Sequence, residues 1–194
     1  MKSSIDRGLD WFRKLAGEFA AFLGYDGYEI AQVELAQDIE EDLSVCEEKR
    51  RDRYAILKLA ENRKEMTMKL IHPKETMAQI PESPMEEPRQ MQTIEIQSEG
   101  TGKQSWSVDD IQNFTKAVGD TNSIHQGEQA IVPGLLMMET MLLECEKQEM
   151  LWKKIKMRFY NPVFASQPVW TARKGRNITA RTKEEQVCWK MWLS

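Results

Sequence analysis

Leu9, Phe12, Leu15, Phe19 and Phe22 fall on one stripe at helical spacing, with Arg7, Arg13, Lys14 and Glu18 mostly off it. This predicts an amphipathic helix over residues 5–22, stopped by Gly24 and the Asp26-Gly27 pair. Its aromatic stripe reads as a core-facing surface. Residues 28–37 alternate weakly and fit strand or helix. Residues 53–59 and 65–71 alternate clearly, with Ala55, Leu57 and Leu59 on one face of the first and Met66, Met68 and Leu70 on one face of the second. They are predicted as strands joined across the polar turn Glu61-Asn62-Arg63-Lys64. The charge-rich runs at 38–42 and 47–53 read as a connection with a solvated face.

Pro73, Pro81, Pro84 and Pro88 then punctuate a polar, acidic stretch that disfavours helix and sheet alike. Residues 74–90 are therefore expected to be a linker between a small N-terminal α+β region, 1–73, and a second domain, 91–194. The second domain opens on an alternating strand, 91–97, and a turn at Gly100-Thr101-Gly102. Ser107 with Asp110 three residues later predicts a capped helix, with Ile111, Phe114 and Val118 on its apolar face and Gly119 ending it. A polar loop, 120–129, leads to a helix over 135–147 that is apolar nearly all round at its start, the pattern of a buried helix. Glu139 is the misfit on it, needing a wet side or a hydrogen bond from the sheet. Alternation at 155–160, 168–172 and 177–182, and Val187, Trp189, Met191 and Leu193 on one face of the last segment, predict strands. The class is α+β, with one buried helix embraced by an antiparallel sheet.

Composition narrows the function. Hydrophobic residues make up 41% and charged residues 30%, ordinary for a globular protein. A net charge of -4 gives no reason to expect nucleic acid or an anionic membrane as partner. No apolar run approaches the roughly 18 residues of a membrane-spanning helix. Charges interrupt the first apolar stretch, which excludes a signal peptide. The three cysteines, Cys46, Cys145 and Cys188, lack metal or redox spacing and read as reduced thiols of a cytoplasmic protein. Only His72 and His125 offer imidazole chemistry.

Gly119-Asp120-Thr121-Asn122-Ser123-Ile124-His125, following the capped helix, resembles the G-D-x-N-P-[IL]-H signature of the MaoC-like hydratase family, with Ser123 in place of the proline. Ile131-Val132-Pro133-Gly134-Leu135-Leu136 is similar to that family's lead-in to its central helix, and residues 155–164 to its following strand with a proline-valine turn. The resemblance covers about residues 91–194 and implies a hot-dog fold there, an antiparallel sheet wrapped around a central helix. The chain departs from the family at Gly127, where an aspartate is usual. It departs again in the shortened segment between His125 and Val132, and at Ser166-Gln167, which replace a glycine-aspartate.

The resemblance implies an enoyl-thioester hydratase, or in reverse a 3-hydroxyacyl-thioester dehydratase, acting on acyl-CoA or acyl-carrier-protein thioesters without metal or redox cofactor. Asp120 and His125 are the implied catalytic pair, since a carboxylate and an imidazole on one short loop can share a water. Asn122 would orient the loop or the water, and the Gly134 N–H at a helix start would receive the developing oxyanion. Each has a plainer reading: Asx turns for Asp120 and Asn122, a satisfied loop histidine for His125, helix initiation for Pro133-Gly134. Met137, Met138 and Met141 would line an acyl tunnel or simply fill the core. The competing functions are a non-catalytic module that binds acyl-CoA or pairs with a catalytic subunit, and a hot-dog thioesterase. A lone domain of this kind leaves a sheet edge open, so a homodimer through the C-terminal half is expected. A degenerate partner repeat in residues 1–73 is the less favoured alternative, because no strand precedes its helix.

Overall fold

The computed structural model describes residues 9–22, 28–40, 42–51, 53–72 and 101–194. The start of the first helix, its Gly24–Gly27 stop, the linker at 74–90 and the strand expected at 91–97 lie outside them. The first stripe forms helix α1, Asp10–Ala21, burying Phe12, Leu15, Ala16 and Phe19. The weakly alternating segment is a strand, β1, Glu29–Gln37, with Val33 and Leu35 buried.

The predicted hairpin forms as β3, Tyr54–Glu61, and β4, Lys64–Ile71, in unbroken antiparallel register. Its two-residue turn holds Asn62 and Arg63 at φ 51° and 63°, the positive-φ geometry of a tight hairpin. The charge-rich segment expected as a connection is instead a strand, β2, Leu43–Arg51, paired to β3. It lies at one end of the sheet. Charge there is compatible with a strand because one edge faces water, and charges on an edge discourage pairing with other chains.

In the second half, Thr101–Gln104 forms a strand, β5, rather than the predicted turn, pairing with β7, Val169–Lys174. A Cβ at Gly102 would come within 2.9 Å of the Thr171 hydroxyl, so the glycine answers to close strand packing. Helix α2, Val108–Val118, forms as predicted: the Ser107 hydroxyl accepts the Asp110 N–H while the Asp110 carboxylate accepts the Ser107 N–H. Gly119, at φ 73°, closes it in the left-handed conformation. The central helix, α3, Gly134–Lys147, is buried along most of its length. Strands β6, Lys154–Phe159, β8, Asn177–Arg181, and β9, Val187–Leu193, complete the sheet, and Trp189, Met191 and Leu193 face inward as the alternation predicts.

Among the described residues nine strands form one sheet in the order β2-β3-β4-β1-β6-β9-β8-β7-β5. Its middle joint is β1 against β6, Gln32 opposite Arg158 through Ala36 opposite Lys154. The N-terminal strands thus extend the sheet that carries the central helix, and the buried side chains of both regions belong to one core. The open edge that motivated a homodimer is filled by this chain's own β1.

Glu139 is resolved by the same junction. Its buried carboxylate accepts hydrogen bonds from Arg13 of α1, Nε to Oε1 at 2.6 Å and Nη2 to Oε2 at 3.3 Å. The partner comes neither from water nor from the sheet. A forked guanidinium matches both carboxylate oxygens and compensates the burial of charge. No helix among the described residues is long and apolar enough to cross a membrane.

Candidate functional site

A cavity of about 310 Å³ lies where the two halves meet. The N-terminal half contributes Ala16 and Phe19 of α1, Tyr28, and the inward side chains Leu57 and Met68. The C-terminal half contributes the loop after α2, the first turn of α3, Phe159 at the end of β6 and residues 160–162 after it.

Gly119 reverses the chain at the end of α2, and the Asp120 N–H still donates to the Thr115 carbonyl, so the aspartate is held against the helix end. Its Oδ1 accepts the Asn122 N–H at 3.0 Å, an Asx turn. Asn122 Oδ1 in turn accepts the Ile124 N–H at 3.4 Å and caps the short 3-10 turn Ser123–His125. The turn chemistry foreseen as the plainer reading is therefore present, but it engages only one oxygen of Asp120. The other, Oδ2, lies 3.5 Å from His125 Nε2. Both residues line the cavity.

His125 is fixed from its far side. Its Nδ1 lies 2.6 Å from the carbonyl oxygen of Ile131. A carbonyl can only accept, so Nδ1 carries a hydrogen and the ring turns its other nitrogen, Nε2, toward Asp120. Ile131 turns back so that its N–H donates to the Ile124 carbonyl at 2.8 Å, which carries its own carbonyl to the imidazole. Beyond it, the Val132 N–H donates to the Val163 carbonyl at 2.8 Å, fixing the lead-in to α3.

Gly134, the first residue of α3, also lines the cavity. A Cβ there would approach the Phe159 ring at 3.1 Å, so the position is tight as well as being a helix start. Of the methionines considered for a tunnel, Met137 lines the cavity, while Met138 and Met141 are core. Among the described residues no group of His, Cys, Asp or Glu is arranged to hold a metal ion.

Sequence reasoning missed three parts of this site: the Ile131 carbonyl, the wall supplied by α1, β3 and β4, and Tyr160. A backbone carbonyl leaves no mark in composition, and the apolar wall looks like any core face. Only Glu139, as an unpaired charge in an apolar helix, signalled that another element had to reach α3.

No known protein family's sequence pattern matches this chain, and no curated protein resembles it in sequence. Solved structures do resemble it. HtdX of Mycobacterium tuberculosis superposes with a TM-score of 0.62 at 15% identity, over 93% of this chain and 83% of that one. A MaoC-like dehydratase from Phytophthora capsici gives 0.53 at 15% identity, over 90% of this chain and 72% of that one. An acyl-ACP thioesterase from Bacteroides thetaiotaomicron gives 0.51 at 10% identity, over 86% and 75%. The chain has a hot-dog fold. The likeness spans both halves, which corrects the expectation that it is confined to residues 91–194. The N-terminal helix and strands are part of the same architecture, as the β1–β6 pairing requires.

Proposed function

We propose that this hot-dog protein is an enoyl-thioester hydratase, or in the reverse direction a 3-hydroxyacyl-thioester dehydratase, acting on acyl-CoA or acyl-carrier-protein substrates. The observation that carries the reading is the approach of Asp120 Oδ2 to His125 Nε2, 3.5 Å apart and both lining the cavity. Two polar groups this close can both contact one water seated beside them in the cavity. In hydration the water oxygen bonds to C3 of the enoyl group as one of the pair takes its proton. A proton returns from the pair to C2, and both groups end as they began. Negative charge on the thioester oxygen during this step would meet the Gly134 N–H and the positive end of α3.

A second reading has support of its own. A water polarised by Asp120 and His125 can also attack a thioester carbonyl, and one similar structure is an acyl-ACP thioesterase. Crotonyl-CoA separates them. Loss of enoyl absorbance without free thiol is the expected result. Thiol release would mark a thioesterase, and neither change would leave a module that binds without turning over.

A further inference from the structure

The outer face of the sheet carries an imbalance that neither fold nor catalysis uses. Arg158 on β6 and Lys190 on β9 are directly opposite in register and both point away from the core. Like charges placed opposite one another on neighbouring strands are destabilising. Their other cross-strand neighbours are neutral: Gln32 stands opposite Arg158 and Thr179 opposite Lys190. On this face the carboxylate of Glu34 lies 3.7–3.9 Å from three lysines, Lys69, Lys154 and Lys156. Among the described residues no carboxylate pairs with Arg158 or Lys190. Both instead lie against the ring of Tyr160, at 5.3 Å and 5.7 Å from its centre. A ring face attracts cations but does not neutralise them. Tyr160 is 45% exposed and also lines the cavity that holds Asp120 and His125. Two uncompensated cations therefore stand beside an exposed part of the cavity wall, in a protein whose net charge is -4.

We propose that Arg158 and Lys190 bind the 4′-phosphate of a pantetheine arm, with Tyr160 guiding the arm from that phosphate into the cavity. The inference rests on the thioester reading above and adds to it the group by which the carrier is held. Coenzyme A and a holo-acyl carrier protein share this phosphate, and a guanidinium beside an ammonium suits its anionic oxygens.

The test is calorimetric titration of pantetheine, 4′-phosphopantetheine, coenzyme A and a holo-acyl carrier protein into the wild-type chain and into the Arg158→Gln/Lys190→Gln variant. Wild type is expected to bind 4′-phosphopantetheine about ten- to a hundred-fold more tightly than pantetheine. The variant should lose that preference while its affinity for pantetheine stays the same. Whichever of coenzyme A and the carrier protein shows the same loss is the source of the phosphate. Equal weakening of pantetheine, or no weakening of any phosphate-bearing probe, overturns the assignment. Thermal melts accompany the titrations, and the variant should melt no lower than wild type, because the substitution removes a like-charge opposition. Binding needs no turnover, so the two readings fail separately. A chain inactive on crotonyl-CoA that shows the charge-dependent preference retains this inference and loses the hydratase assignment. An active chain whose affinity for every phosphate-bearing probe is indifferent to the variant loses this inference alone.

Discussion

Asp120 has two duties that substitution can separate. Asp120→Asn keeps an oxygen able to accept the Asn122 N–H, so the Asx turn should survive and the loss of stability should stay below about 1 kcal/mol. Removal of the carboxylate should lower crotonyl-CoA hydration by roughly two to four powers of ten. His125→Ala should act alike on rate, and the double variant should be little worse than either single, because the two share one water. Turnover beside a thermal melt for each variant checks this; a lower melting temperature with an intact rate would make Asp120 a loop-folding residue only. The cysteines give a second measurement at this scale. Burial pushes the Cys145 thiol up to about 11 and raises that of Cys188, so both stay protonated and unreactive in the folded chain. Cys46, half-exposed on the edge strand β2, should react first with a thiol reagent at neutral pH. Equal rates for all three in the folded protein would contradict that order. Because the folded Cys145 resists ionisation, its contribution is fully present at neutral pH and is lost as pH rises above the unfolded thiol's 9.0.

At the scale of elements, the Arg13–Glu139 fork ties α1 to α3 across the cavity's two walls. Arg13→Leu strands a carboxylate that is only 6% exposed, while Arg13 itself is 47% exposed and partly screened. The expected cost is on the order of 2–4 kcal/mol, toward the lower end because of that screening. The double variant Arg13→Leu/Glu139→Leu should recover most of it, since an apolar pair leaves no buried charge. Chemical denaturation of the two singles and the double measures the coupling, and additive losses would show that the two do not act together. Gly134→Ala tests the start of α3. Its methyl group forces the Phe159 ring to move by a few tenths of an ångström, at a cost of about 1–3 kcal/mol. Crowding where the oxyanion would sit should lower kcat more than it raises KM. The elements themselves were largely legible: the α1 stripe, the β3–β4 alternation, the Ser107 capping box and the all-apolar start of α3 each carry a local physical signature. β2 and β5 were not. An edge strand buries little, so charge in β2 and glycine in β5 look like loop.

At the scale of the whole molecule, β1 does for this chain what a second subunit does for a lone domain. A fragment of residues 101–194 would expose the β6 edge, where Glu34, Val33 and Leu35 now stand opposite Lys156, Met157 and Ile155, and would open the cavity's N-terminal wall. Such a fragment is expected to self-associate or aggregate, because an unpaired strand edge beside apolar surface recruits another chain. Light scattering of the fragment beside the full chain checks this. A monomeric fragment that unfolds cooperatively would mean that the C-terminal half is self-sufficient. Among the described residues the strands at the ends of the sheet are β2 and β5, and β2 is guarded by the charged run Glu47-Glu48-Lys49-Arg50-Arg51.

The sequence by itself determined the periodic faces, the capped helix, the glycine that ends it, and the short loop that sets Asp120 and His125 five positions apart. These follow from interactions within a few residues, where side-chain period and capping chemistry leave direct traces. Only the tertiary structure decided that both halves share one sheet, that the Ile131 carbonyl meets His125 Nδ1, and that Glu139 finds Arg13 at a separation of 126 positions. Strand register between distant segments, and the partner of a buried charge, are chosen by how the core closes. A local pattern states that a face must be covered, and the packing of the whole chain selects what covers it.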